Sequence, residues 1–129
     1  MENTNIKSYE EWFFQSNYDM ETAKSMFQSG RYIYCVFMCH LSLEKALKGL
    51  LIKIKNVFPP KTHNLSFLME SIGIEFSEED KKFLFSLNKV SVPTRYPENL
   101  SKLMEEFNSI TTQEILFSTE RIQKWIIKN

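Results

Sequence analysis

The chain has 129 residues, of which 43% are hydrophobic and 14% aromatic, enough to build a core for one domain spanning residues 1–129. Sixteen basic residues balance sixteen acidic ones. This neutrality argues against nucleic-acid binding through bulk charge, although it permits a local basic cleft.

The first residues do not show the basic-then-apolar pattern of a signal peptide. The longest apolar run, residues 32–39, is too short to span a bilayer. We therefore expect a cytoplasmic protein.

The first helix is predicted over residues 9–28. Ser8 and Glu11 have the spacing of a capping box, and Gly30 supplies a residue suited to end the helix. Its apolar residues recur at helical spacing: Trp12, Phe13, Met20, Ala23 and Phe27. Because a second helix begins immediately afterwards, the two should form an antiparallel pair.

The second helix is predicted to run to about Asn56 and is apolar on nearly every side, so other elements should cover it. His40, Glu44 and Lys48 interrupt this pattern at intervals of four and form one polar stripe. The stripe is either a solvated edge carrying an ordinary ion pair or a polar cleft.

The two cysteines, Cys35 and Cys39, lie four residues apart on the same helix. This spacing does not favour a disulfide, so we expect two buried thiols in a reducing compartment. His40 is adjacent in sequence, but a third ligand on the same face is missing. We therefore predict no metal site.

The middle of the chain should contain two more helices. Pro59 and Pro60 end the second helix, and Thr62 is predicted to cap a short helix over residues 63–72, which Gly73 closes. Ser77 opens the next helix, whose first turn is acidic. Its predicted inward residues are Phe83, Leu84, Leu87 and Val90.

Residues 92–97 are predicted to be irregular, with prolines holding Arg95 and Tyr96 in place. A short helix follows over residues 100–107, and Thr111 with Glu114 should cap the last helix. The predicted inward residues of that helix are Ile115, Ile122, Trp125 and Ile126. With no strand pattern, the prediction is an all-α, up-and-down antiparallel bundle of four main helices plus one or two short ones.

The sequence contains no glycine-rich phosphate loop and no nucleophile elbow. Arg95 is the best candidate for a phosphate contact, since an arginine fork binds phosphate in a bidentate manner, and Tyr96 could stack or donate a hydrogen bond. Alternatively, Arg95 pairs with Glu44 and tethers the loop. His63 is either a surface histidine near a helix start or an acid–base group.

Five elements together resemble the HEPN domain: Trp12, Asp19 and Ala23 on the first helix, Gly30-Arg31-Tyr32, the segment from His40 to Leu51, Pro60-Lys61-Thr62-His63-Asn64-Leu65, and Thr94-Arg95-Tyr96-Pro97. The resemblance covers about residues 8–127. It implies a helical bundle, usually a homodimer, and often a minimal nucleotidyltransferase encoded alongside as the partner in a toxin–antitoxin module.

The resemblance also implies a metal-independent ribonuclease in many members, which carry an arginine followed four to six residues later by a histidine. No histidine follows Arg31, Arg95 or Arg121 at that distance. The usual catalytic motif is therefore absent, and we predict no catalytic residue and no cofactor.

Three hypotheses follow. The first is a nucleotide-binding or partner subunit of a two-component system, without membrane association. Its ligand-binding residues are Arg95, Tyr96, Lys48, Glu44, His40 and His63. The second is a divergent ribonuclease toxin that uses Arg95 with His63 or His40 on RNA. The third is a non-catalytic homodimeric interaction module that docks through Phe14 and Met26 on the first helix.

Overall fold

The computed structural model describes residues 8–95 and 98–129, with the backbone alone for residues 90–95. Within these ranges six helices follow one another: α1 (Tyr9–Gln28), α2 (Tyr32–Lys55), α3 (Leu65–Ile72), α4 (Glu78–Arg95), α5 (Leu100–Glu106) and α6 (Ser109–Lys128). The same ranges contain no strand. Four long helices and two short ones confirm the predicted all-α bundle.

Helix α2 is the centre of the bundle and packs against each of the other five helices. Ser8 caps α1, since its hydroxyl accepts a hydrogen bond from the Glu11 N–H, which is one of the two bonds of the predicted capping box. At the other end, Gly30 has a φ of 78° and reverses the chain into α2. The α1–α2 pair is antiparallel, as predicted.

Buried hydrogen bonds fix the register of α1, α2 and α6. The Ser16 hydroxyl donates to the carbonyl of Ser42 at 2.7 Å, and the Ser42 hydroxyl donates to the carbonyl of Ser16 at 2.9 Å. From α6, the Gln123 amide donates to Asn17 Oδ1 at 2.7 Å. Because a slip along any helix would leave these buried groups without partners, the network specifies one arrangement.

The hydrophobic core lies between α2 and its neighbours. Of the residues predicted to point inward on α6, Ile122 and Ile126 are fully buried and Ile115 is partly buried. Trp125 is only at the edge of the core, with 38% of its surface exposed, and it meets Phe76 edge-on at 4.9 Å between ring centroids. The prediction for Trp125 was therefore only partly right, because the buried face of α6 is narrower than the four predicted inward residues require.

Two of the predicted helix starts were wrong by two or three residues. Asn64, not Thr62, caps α3 by accepting a hydrogen bond from Phe67 N–H, and Asn108, not Thr111, caps α6 by accepting one from Thr111 N–H. In both cases an asparagine oxygen reaches the third residue of the helix, a geometry that Ser, Thr, Asp and Asn share. The sequence offers two candidates at each start and does not choose between them.

Helix α4 continues through Pro93 to Arg95, where the sequence predicts an irregular segment over residues 92–97. The prediction is wrong for the backbone of residues 92–95. Pro93 lies in the last turn, where the missing N–H removes only one hydrogen bond of the helix. The rest of the predicted segment, Tyr96 and Pro97, lies outside the described residues.

The predicted docking surface on α1 is partly wrong. Phe14 is 67% exposed, as the prediction requires. Met26 is instead partly buried and packs against the hydrophobic core, because the last turns of α1 present this side to the bundle.

Within the part of the chain that the structure describes, none of the helices is long and apolar enough to cross a membrane.

Candidate functional site

The polar stripe of α2 is buried, and Glu44 is its central residue. Only 4% of the surface of Glu44 and 7% of that of Lys48 is exposed. The Lys48 ammonium donates a hydrogen bond to Glu44 Oε2 at 3.0 Å, across one turn of the helix. Of the two possibilities left open by the sequence, a solvated edge is therefore wrong, and the stripe is a polar cluster inside the bundle.

His63 joins this cluster from the loop between α2 and α3. Its Nδ1 lies 3.0 Å from Glu44 Oε1 and 3.1 Å from Oε2. Because an ionised carboxylate only accepts hydrogen bonds, the proton sits on Nδ1 and donates to Glu44. The His63 side chain is 65% exposed, so a buried carboxylate orients an imidazole at the surface.

His40 is the third basic residue near Glu44. Its Nδ1 lies 3.9 Å from Glu44 Oε1, one turn before it on α2, and the residue is 1% exposed. One carboxylate is thus surrounded by one ammonium and two imidazoles. We call Glu44, Lys48, His40 and His63 the Glu44 cluster.

Helix α1 covers the Lys48 side of the cluster. The Trp12 ring lies with its centroid 5.6 Å from Lys48 Nζ, a cation–π distance. Gly49 permits this approach, because a Cβ atom there would lie 2.6 Å from Phe13 Cε1 and 3.1 Å from the Cβ of Trp12. The glycine after Lys48 therefore brings Trp12 to the cluster.

The loop that carries His63 is held on both sides. The Thr62 hydroxyl accepts a hydrogen bond from Asn64 N–H at 3.1 Å, and the Asn64 side chain caps α3. From α4, Asn88 accepts from Leu65 N–H at 2.9 Å and donates to Asn64 Oδ1 at 2.8 Å. These bonds fix the start of α3 and with it the backbone from which His63 reaches Glu44.

Four of the six predicted ligand-binding residues meet in the Glu44 cluster. For the other two, the side chain of Arg95 and all of Tyr96 lie outside the described residues. The first hypothesis counts Lys48 among the ligand-binding residues, but Lys48 is buried and bound by Glu44, whereas His63 is the most exposed member.

The sequence analysis missed Trp12, Gly49, Asn64 and Asn88 as supports of this cluster. It also found no partner for His63, because Glu44 lies 19 residues away. Trp12 and Gly49 are adjacent to residues that the sequence did single out, but nothing local indicates Asn88.

The cysteines lie on another side of α2, and both are free and buried, as predicted. A hydrogen bond between the two thiols lowers the pKa of Cys35; the same bond, together with burial, raises the pKa of Cys39 well above its ordinary value. Among the described residues, no group of three His, Cys, Asp or Glu side chains is arranged to hold a metal ion.

Comparison with known proteins decides the family. The model of the HEPN domain matches residues 9–129. The chain belongs to the HEPN domain family. The match confirms the resemblance that the sequence elements of this HEPN chain indicated. It includes every residue of the Glu44 cluster.

Two solved structures share the fold of this HEPN chain. The protein TT1696 from Thermus thermophilus superposes with a TM-score of 0.82 at 20% identity, over 93% of this chain and 96% of that one. ST0689, described as an archaeal HEPN homologue, gives a TM-score of 0.74 at 25% identity, over 95% and 98% of the two chains. No curated protein sequence shows significant similarity to this one.

Proposed function

We propose that this chain is the nucleotide-binding subunit of a two-component system with a minimal nucleotidyltransferase, and that it works as a homodimer. The Glu44 cluster supports the nucleotide-binding part of the proposal. The partner, the toxin–antitoxin role and the dimer follow from what membership of the HEPN family implies.

One observation carries the binding proposal: a single buried carboxylate faces three basic side chains. Glu44 is 4% exposed, and Lys48 and His63 both donate to it. When His63 is protonated, the cluster carries a net positive charge at a partly buried site, where attraction to an anion is stronger than in water. A nucleotide phosphate is such an anion.

The roles within the cluster follow from exposure. His63 contacts the phosphate through Nε2, which points away from the carboxylate that holds Nδ1. Glu44 orients His63, and Lys48 balances the charge of Glu44. From the sequence pattern alone, the proposal also gives Arg95 a second phosphate contact and Tyr96 a stacking role.

Isothermal titration calorimetry with ATP and with inorganic triphosphate tests the proposal. We expect His63→Ala and Arg95→Ala each to weaken ATP binding about tenfold, as loss of a charge-assisted hydrogen bond predicts. Lys128→Gln, which removes an exposed charge at the end of α6, should leave the affinity unchanged. No ATP binding by the wild type, or equal affinities for the wild type, His63→Ala and Arg95→Ala, would overturn the proposal.

The partner and the dimer need separate measurements. Light scattering of the purified chain should give twice the mass of 15.3 kDa. We expect a minimal nucleotidyltransferase in the neighbouring reading frame, and co-expression with it should yield a complex that survives gel filtration. A monomer, or two proteins that elute separately, would contradict this part of the proposal and leave nucleotide binding to be judged by calorimetry.

The geometry also favours a second candidate, a divergent metal-independent ribonuclease. A carboxylate that accepts from Nδ1 leaves Nε2 of His63 with the lone pair that a general base requires. Purified protein should then cleave total RNA in the presence of EDTA, and His63→Ala should abolish cleavage while Lys128→Gln does not. Absence of cleavage by the wild type excludes this candidate and leaves the binding proposal intact.

A further inference from the structure

A cavity lies at the start of α2, whereas the Glu44 cluster occupies the middle of that helix. It has a volume of about 310 Å³ and is formed by the α1–α2 turn, the first turn of α2, helix α5 and the start of α6. Tyr34, its innermost residue along α2, precedes His40, the nearest member of the Glu44 cluster, by six residues, or about 9 Å along a helix. The two sites therefore share no lining residue among those described.

The walls of this cavity are mainly apolar and aromatic. Tyr32, Tyr34, Leu100, Met104 and Phe107 all line it. Phe107 is almost completely buried and belongs to the hydrophobic core, whereas Met104 is 60% exposed and lies at the surface. The cavity thus has a firm apolar floor and an open side, and its volume is at the lower end of the range for small-molecule sites, about 300–1,000 Å³.

The rim carries one cation and no acid among the described lining residues. Arg31 is exposed at the start of α2, and its side chain does not cap that helix. The side-chain oxygen of Asn108 accepts a hydrogen bond from Thr111 N–H, and its amide NH₂ is left as a donor. Ser109 adds a hydroxyl. Donors and a positive charge at the edge of an apolar cavity match a ligand with an apolar body and a negative head.

The turn between α1 and α2 forms part of the cavity wall. Gly30 lines it with a φ of 78°, and a Cβ atom at this position would have no neighbour within 4 Å. The glycine therefore leaves open space at the turn without a side chain to fill it.

We propose that this cavity is a second binding site, specific for a small amphiphilic anion whose planar apolar body lies between Tyr34 and Phe107. The negative group of the ligand, a carboxylate, sulfonate or phosphate, pairs with Arg31. The site differs from the Glu44 cluster in requiring an apolar body as well as a charge.

Fluorescence titration with anilinonaphthalene sulfonate, and with its uncharged analogue N-phenylnaphthylamine, tests both parts of the proposal on the folded full-length chain. The wild type should bind the sulfonate more tightly than the neutral analogue. Arg31→Gln should weaken sulfonate binding about three- to tenfold, since the ion pair is at the surface, and leave the neutral analogue unaffected. Lys128→Gln, which removes an exposed charge elsewhere, should change neither.

The location is tested by filling the cavity. Met104→Trp places a larger side chain at the open side and should abolish binding of both dyes. If circular dichroism shows that Met104→Trp does not fold, Tyr34→Ala replaces it and should weaken binding of both dyes. No dye binding by the wild type, equal sulfonate affinity in wild type and Arg31→Gln, or unchanged binding in the variant that alters the wall would each overturn the proposal. None of these outcomes bears on ATP binding at the Glu44 cluster.

Discussion

Removing the carboxylate of Glu44 should destabilise the fold far more than removing a surface acid. In Glu44→Leu the Lys48 ammonium, 7% exposed, stays inside the bundle without its partner. Loss of one partner of a buried ion pair costs about 3–5 kcal/mol. The Trp12 ring at 5.6 Å recovers only part of this, since a cation–π contact contributes about 0.5–2 kcal/mol. We therefore expect the free energy of unfolding to fall by about 3 kcal/mol.

Urea denaturation followed by circular dichroism measures this change, and two further variants make it specific. The double variant Glu44→Leu/Lys48→Met removes both charges and should be more stable than Glu44→Leu alone, because no buried charge is left unpaired. Glu78→Leu is the matched control: Glu78 also accepts from a lysine, Lys81, at 3.1 Å, but its side chain is 79% exposed. That variant should lose less than about 1 kcal/mol.

The reasoning is refuted if Glu44→Leu costs no more than Glu78→Leu. It is also refuted if the double variant loses as much stability as the losses of Glu44→Leu and of the single variant Lys48→Met add up to. Either result would mean that water screens the Glu44–Lys48 pair, and that the cluster is not the low-dielectric site on which the nucleotide-binding proposal rests.

Three more predictions use the same denaturation assay. Gly49→Ala should lower the free energy of unfolding by about 1–3 kcal/mol, because the added methyl group clashes with Phe13. Helix propensity alone predicts the opposite, a gain of about 1 kcal/mol, so a more stable variant would contradict the close packing at Gly49. Asn64→Ala should cost about 0.5–2 kcal/mol through loss of the α3 cap, and an unchanged midpoint would count against that cap. A hydrogen bond from Lys24 lowers the pKa of Glu120 below its usual 4.5. The ionised carboxylate therefore stabilises the fold above pH 4.5, and this contribution is lost as the pH falls through the pKa of Glu120 in the folded state. Glu120→Gln should therefore reduce stability by less than about 1 kcal/mol at neutral pH and leave it unchanged near pH 2, and an equal effect at both pH values would contradict the assignment.

The helices were predictable wherever their signals lie within one turn of the chain. Ser8 and Glu11 fixed the start of α1, and Gly30 and Gly73 fixed two helix ends, because these residues act on backbone groups three or four positions away. Prediction failed where two local signals compete. Thr62 and Asn64 can both cap α3, and Pro93 disfavours a helix that the fold nevertheless continues to Arg95.

The candidate site was predictable as a set of residues and not as an arrangement. His40, Glu44 and Lys48 share a face at helical spacing, so the sequence places them together. It does not show that Lys48 is covered by Trp12, which decides that His63, and not Lys48, is the exposed member. Whether Lys48 is covered depends on how closely α1 packs against α2. Gly49 allows this close packing because it has no side chain, but the sequence does not show which helix lies against it.

The sequence by itself therefore determined the helices of the bundle and the polar stripe of α2, and its blocks pointed to the HEPN family. Only the tertiary structure decided that this stripe is buried, that Glu44 meets His63 across 19 residues, and that Asn88 holds the start of α3 across 24. The physical reason is range: capping and helical periodicity act over three or four residues, whereas burial and pairing depend on which distant helix the chain brings alongside.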